Sequence, residues 1–277
     1  MQNFYKKHIS KAIEATPIAN LDGTHIDYLV DSILAKANKS YSYNATSAKA
    51  LGVMKKICNR AVKYGQLSHS VLELFSPREV GYKDIPKSRA FTKPEIKQLI
   101  QALQNQPECE RVNVIAVCLL LVLGKRKIEL IKSVWKDICF NEREWLVEKT
   151  KTGADIVIPF SPLVKGWLEE LKELSMGESH LFPKRQETAK AKHISESTLN
   201  GFLERALSEL KIEVHDLRRT TRTTLRALDI PVDVAESYIN HKQKAYRYNF
   251  YHRLPERKRA CKKLSKLIKK YLTNKDG

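Results

Sequence analysis

Long hydrophobic runs are missing from this 277-residue chain. The most apolar stretch, Val114 to Leu123, is too short to span a bilayer and predicts a buried helix. The opening MQNFYKKHISKAIEA has no apolar core of the kind a signal peptide carries, so a soluble, intracellular protein is expected. Cysteines are few. Cys58, Cys109, Cys118, Cys139 and Cys261 are odd in number and none forms a Cys-x-x-Cys pair, which argues against a disulfide framework or a zinc site and fits a reducing cytoplasm. Negative charge is also scarce: 31 Asp and Glu stand against 50 Lys and Arg, a formal net charge of +19. That excess favours a polyanionic partner, because each phosphate neutralised by a cation releases counterions. Charge alone does not separate nucleic acid from a ribosomal or membrane surface.

The chain also has no internal repeat and no low-complexity tract, and two units can be read along it. Residues 1–76 are expected to form a small helical domain. Thr24 to Ala37 is one apolar-periodic segment, and Thr46 to Tyr64 sets Met54, Ile57, Cys58, Ala61 and Val62 at helical spacing. The opposite face of the second segment carries Lys55, Lys56, Arg60 and Lys63: either a solvated face or a stripe able to lie along DNA. Residues 77–91 fall in a stretch with two prolines and many basic residues and read as a linker.

A second domain, 92–277, starts with a capping box at Thr92 and Glu95, followed by the apolar stripe Ile96, Leu99, Ile100 and Leu103. Val112 to Leu123 is apolar nearly all round, the pattern of a central helix. Between Trp135 and Phe160 the period changes, and WKDICF, WLVEKT and DIVIPF predict three short strands of a β-meander. Ser161-Pro162 opens another helix, with Val164, Trp167, Leu168, Leu171 and Leu174 expected on its inner face. Helices follow to the end. The expected class is mainly α with a small antiparallel β-meander.

Four short motifs carry chemistry. LGKRKIEL (Leu123 to Leu130), EKTKTG (Glu148 to Gly153), HDLRRT (His215 to Thr220) and INHKQ (Ile239 to Gln243) occur in that order, with tyrosines following the last. Singly, each has an ordinary reading: Arg126 as a cation near a helix end, Lys151 as one exposed lysine among many, HDLRRT as a helix start, His241 as a capping side chain. In this order they resemble the tyrosine recombinase (phage integrase) family, over roughly residues 92–260. The resemblance implies a helical core-binding domain followed by an α/β catalytic domain. It places the family's catalytic groups on Arg126, Lys151, His215, Arg218 and His241, with Glu129 as the acidic partner of Arg126.

The residue types suit phosphoryl transfer. The phosphodiester gains charge on its non-bridging oxygens in the transition state, and planar guanidinium groups match that geometry with paired donors. Arg126 and Arg218 would clamp it without a metal or other cofactor. His215, three residues before Arg218, would face the same phosphate and could take the tyrosine proton or hydrogen-bond the phosphate oxygens. Lys151 would protonate the leaving 5′ oxygen, and His241 would help hold phosphate or nucleophile. A tyrosine would store the bond energy as a 3′-phosphotyrosine.

Tyr246, Tyr248 and Tyr251 lie five, seven and ten residues past His241. The family's usual spacing from the histidine favours Tyr251. Counting back from YNFYHRLPERKR (Tyr248 to Arg259), which resembles the tail of satellite-phage-like integrases, favours Tyr248, the preferred choice; Tyr246 ranks third. Phe250 departs from the arginine of that tail, Asn240 replaces a glycine and Leu123 a threonine.

The basic segment after Lys242 reads as an amphipathic helix packed on its own domain, with Leu264, Ile268 and Leu272 at helical spacing. In the family such a helix often docks on a neighbouring protomer, so loss of residues beyond about 260 is expected to impair synapsis and spare DNA binding. The implied partners are double-stranded DNA attachment sites, with a homotetramer on synapsed DNA, a monomer or weak oligomer without it, and no membrane. A cytoplasmic, nucleoid-associated protein that integrates or excises a mobile element is expected. A type IB topoisomerase-like enzyme, or a DNA-binding architectural protein without catalysis on the same scaffold, are the alternatives.

Overall fold

The structure, a computed structural model, describes residues 2–35, 41–80, 89–147, 155–188, 191–210, 212–241 and 253–273. The chain divides into two compact units, Met1–Lys87 and Ser88–Gly277.

The first unit holds α1 (Gln2–His8), α2 (Ser10–Ile13), α3 (Gly23–Leu34) and α4 (Tyr41–Lys63). Asp22 starts α3: its carboxylate accepts from the Thr24 and His25 backbone amides at 3.0 and 3.3 Å, satisfying donors that the first turn leaves open. Ile26, Leu29 and Ile33 recur at helical spacing and pack with Leu51, Met54 and Cys58 of α4. The helix expected from Thr46 thus begins earlier, at Tyr41. Val80 is buried in this core, and Phe91 in that of the second unit.

The second unit contains α5 (Lys93–Gln104), α6 (Arg111–Leu123), α7 (Lys127–Ile131), β1 (Ile138–Cys139), β2 (Glu144–Val147), β3 (Ile156–Pro159), α8 (Pro162–Leu174), α9 (Glu196–Ala206), α10 (Val214–Ala227), α11 (Val232–Tyr238) and α12 (Leu254–Thr273). Thr92 and Glu95 form the reciprocal cap of α5, the Glu95 carboxylate accepting from the Thr92 amide at 2.8 Å. α6 is the centre. Every residue from Asn113 to Leu123 is buried, as the apolar run from Val114 requires, and α8, α9, α10 and α12 pack around it.

The strands form one antiparallel sheet in the order β1-β2-β3, with Trp145 opposite Ile158. The first expected strand is mostly a 3-10 turn, Trp135–Asp137, leaving a two-residue β1. Leu174 is 38% exposed rather than on the inner face of α8: it is the last helical residue, beyond the layer that covers Leu171.

α12 packs against α5, α6, α8, α11 and β3 of its own unit. Leu264 and Ile268 are almost fully buried there. Residues after about 260 thus fill their own domain's core, and their removal is expected to harm that domain itself. Arg257 reinforces the attachment, its Nη1 donating to the Val157 carbonyl of β3 at 2.7 Å.

Candidate active site

The site is built on the end of α6. A helix leaves the carbonyls of its last turn without partners of its own, and here side chains from two later helices take them up. Thr221 Oγ1 donates to the Leu121 carbonyl at 2.7 Å, the Tyr238 hydroxyl to that of Val122 at 2.8 Å, and Arg218 Nη1 to that of Gly124 at 2.5 Å. Gly124 ends the helix with φ 59°, and a Cβ on it would lie 2.8 Å from Ile239 and 2.9 Å from Thr221. Both backbone and space therefore demand glycine.

Two residues on, Arg126 occupies the position before α7. Its Nη1 lies 2.8 Å from Glu129 Oε1, while Oε2 of the same carboxylate accepts from the Arg126 backbone amide at 3.1 Å. Glu129 thus aims the guanidinium. Nη2 of Arg126 donates to the Asn240 carbonyl at 3.4 Å. Asn240 has φ 51°, a left-handed conformation asparagine tolerates, and it turns the chain immediately before His241.

Arg218, on α10, is 6% exposed, and its Nη2 has no hydrogen-bond partner among the described residues. Burial lowers its guanidinium to about 10, the nearby Arg126 charge adds to this, and Glu129 and Glu236 oppose it. It is a cation at neutral pH with donor capacity to spare. His215, one turn earlier, is exposed at the rim of a cleft of about 760 Å³ that Arg218, Lys125, Lys127 and Asn200 also line. Its imidazole is held below the ordinary histidine value, by partial desolvation first and then by the charges of Arg219 and Arg218. His241 Nδ1 lies 2.8 Å from Oε2 of the buried Glu236, and Arg222 Nε donates to Oε1 of the same carboxylate.

Arg126 and Arg218 therefore meet near the end of α6, with His215 one turn before Arg218 and His241 next to the Asn240 carbonyl that Arg126 reaches. Lys151, Tyr246, Tyr248 and Tyr251 lie outside the described residues. Lys56, Arg60 and Lys63 are exposed on α4 of the first unit; Lys55 is half-buried there, its Nζ donating to the Glu73 carbonyl at 3.2 Å.

Several residues of the site carry no sequence signal. Glu236 looks like a surface acid of an amphipathic helix, and Tyr238 and Thr221 like ordinary helical positions. Among the described residues no cluster of His, Cys, Asp and Glu could hold a metal, and no helix is long and apolar enough to cross a membrane.

The fold is that of solved integrases. The chain is similar to lambda integrase solved as a dimer on a COC′ core site (TM-score 0.66, 19% identity, 90% of this chain and 89% of that one). It is also similar to the Tn1549 transposon integrase in complex with circular intermediate DNA (TM-score 0.67, 14% identity, 88% and 85%). The pattern of the phage integrase family matches residues 89–257, and the chain belongs to that family. Prophage integrase IntA of Escherichia coli (strain K12) is 27% identical over a stretch covering 56% of this chain; the chain spans 40% of that relative's length.

Proposed function

We propose that this protein is a site-specific tyrosine recombinase, a DNA strand transferase that cleaves and rejoins duplex DNA through a 3′-phosphotyrosine and so integrates or excises a mobile element. The observation that carries the reading is the buried Arg218, held by the Gly124 carbonyl through one nitrogen and presenting the other unpaired beside Arg126. A buried cation with an unused donor is costly unless an anion completes it. A phosphodiester with two non-bridging oxygens is an anion of the right shape for two guanidinium groups.

In this reading Arg126, aimed by Glu129, and Arg218, anchored on α6, hold the scissile phosphate. The phenol oxygen of Tyr248 attacks phosphorus, the bond to the 5′ oxygen breaks, and no external energy source is needed because one phosphoester replaces another. Neutral His215 takes the phenol proton. Lys151 gives a proton to the departing 5′ oxygen. His241, braced by Glu236, contacts phosphate or nucleophile. The 5′ hydroxyl of a second strand then reverses the step and restores the tyrosine.

Tyr251 is the second candidate for the nucleophile. The first unit acts as the DNA-clamping domain, with Lys55, Lys56, Arg60 and Lys63 toward the backbone. Solved structures similar to this chain include a lambda integrase tetramer on a Holliday junction, and the same assembly on synapsed attachment sites is proposed here, with action at the nucleoid.

The clamp is tested by removing the charge it is meant to hold. A duplex selected by the protein from a random-sequence pool is prepared with a methylphosphonate at the cleaved position. On ordinary phosphate, Arg218→Ala should lose roughly 10²–10³ in cleavage rate, the effect of deleting one preorganised donor. On the uncharged methylphosphonate that penalty should largely vanish. An equal penalty on both would remove Arg218 from the phosphate.

A further inference from the structure

Lys125 stands between the capping Gly124 and Arg126, yet its side chain turns away from solvent. It is 3% exposed, and Nζ has no hydrogen-bond partner among the described residues. Nζ sits 3.4 Å from the centroid of the Trp145 ring on β2, itself fully buried. The face of an indole attracts an ammonium but does not replace its hydration. Lys125 nevertheless lines the same 760 Å³ cleft as Arg218 and His215.

Two buried cations with unused donors, on different elements, thus share one cleft. Each lacks water, so each carries its own desolvation cost. Burial lowers the Lys125 ammonium to about 7, although Glu129 and Asp137 pull the other way. A core position needing only bulk would be filled better by leucine or methionine. The arrangement makes physical sense if a polyanion fills the cleft. A lysine stem has four rotatable carbons, enough to carry Nζ off the indole toward such a ligand.

We propose that Lys125 is a further DNA-contacting residue, a third cation in the phosphate cleft, parked on Trp145 in the free protein and turned onto a backbone phosphate when DNA enters. The phosphate it takes is the scissile one or its immediate neighbour, because Lys125 adjoins Arg126 in the chain and Arg218 in the cleft. The assignment rests on the reading of this cleft as a DNA-phosphate site.

The test is equilibrium binding of the full chain to the selected duplex over a range of salt concentrations, for wild type and Lys125→Met. Methionine keeps the bulk and removes the charge, so the fold should hold; Lys125→Gln serves as the second variant if it does not. Each phosphate contact in duplex DNA contributes about 0.9 to the slope of log K against log salt. Lys125→Met should therefore lower the slope by about one contact and weaken low-salt binding about 10- to 100-fold, as for loss of one charged hydrogen bond. A lysine with a merely structural role would leave the slope untouched. A normal wild-type slope shared by both variants would overturn the role of Lys125 alone. Wild-type binding without any salt dependence would overturn the reading of the whole cleft.

Discussion

His215 gains its chemical usefulness from its neighbours. Desolvation and the cations at Arg219 and Arg218 favour the neutral ring, the form that can accept a proton. With its folded value below 6.5, protonation on acidification costs more in the folded protein than in the unfolded chain, and it would also remove the proposed base. Single-turnover cleavage should be level near neutral pH and fall only below the ordinary histidine value; His215→Gln should be slow and lack that acidic limb. An unchanged limb in the variant would assign the titration to another group. At this scale the sequence offers Arg126, His215, Arg218 and His241 as candidates by their order, and the structure puts Arg126 and Arg218 near one helix end. It was silent where a residue acts through a distant partner. Glu236 matters because α11 brings it to His241 and Arg222, and no local pattern encodes that meeting.

Elements fix the site through the ends of helices. α6 was legible from its apolar run, but the capture of its final carbonyls by Thr221, Tyr238 and Arg218 depends on three helices meeting. Gly124 is where this becomes a stability claim. Alanine there must hold φ 59° and push its methyl against Ile239 and Thr221, so Gly124→Ala should lower stability by about 1–3 kcal/mol, read from denaturant unfolding. No loss would mean that the helix end can shift without cost. α12 was legible from its amphipathic spacing: Leu264 and Ile268 enter the core of their own unit, with Leu272 packed against it, as expected. Deleting residues 261–277 exposes the surroundings of Leu264 and Ile268, which alone removes roughly 3–6 kcal/mol of burial. That is a large share of the ~5–15 kcal/mol by which domains are stable. The truncated chain should therefore lose cooperative unfolding and DNA binding together. A folded, DNA-binding truncation would show that α12 is dispensable to its own domain.

Across the whole molecule, charge and order of elements were the readable features. A net charge of +19 pointed to a polyanion, and the succession of helices, a three-stranded meander and more helices gave the fold class. The lengths of the short strands were harder, because two to four residues carry little periodicity. The family's pattern spans the second unit from its start to Arg257, and all four described candidate residues fall inside it. The reading of the molecule as a recombinase rests on one bond, between a phenol of this chain and a DNA 3′ phosphate. It is best examined with a nicked duplex in which the freed 5′ end diffuses away, followed by denaturing electrophoresis and peptide mapping of the adduct. The account predicts a covalent protein–DNA species linked at Tyr248 and absent from Tyr248→Phe. An adduct at Tyr251 would move the nucleophile. A folded, DNA-bound protein that never becomes joined to the strand would contradict the account.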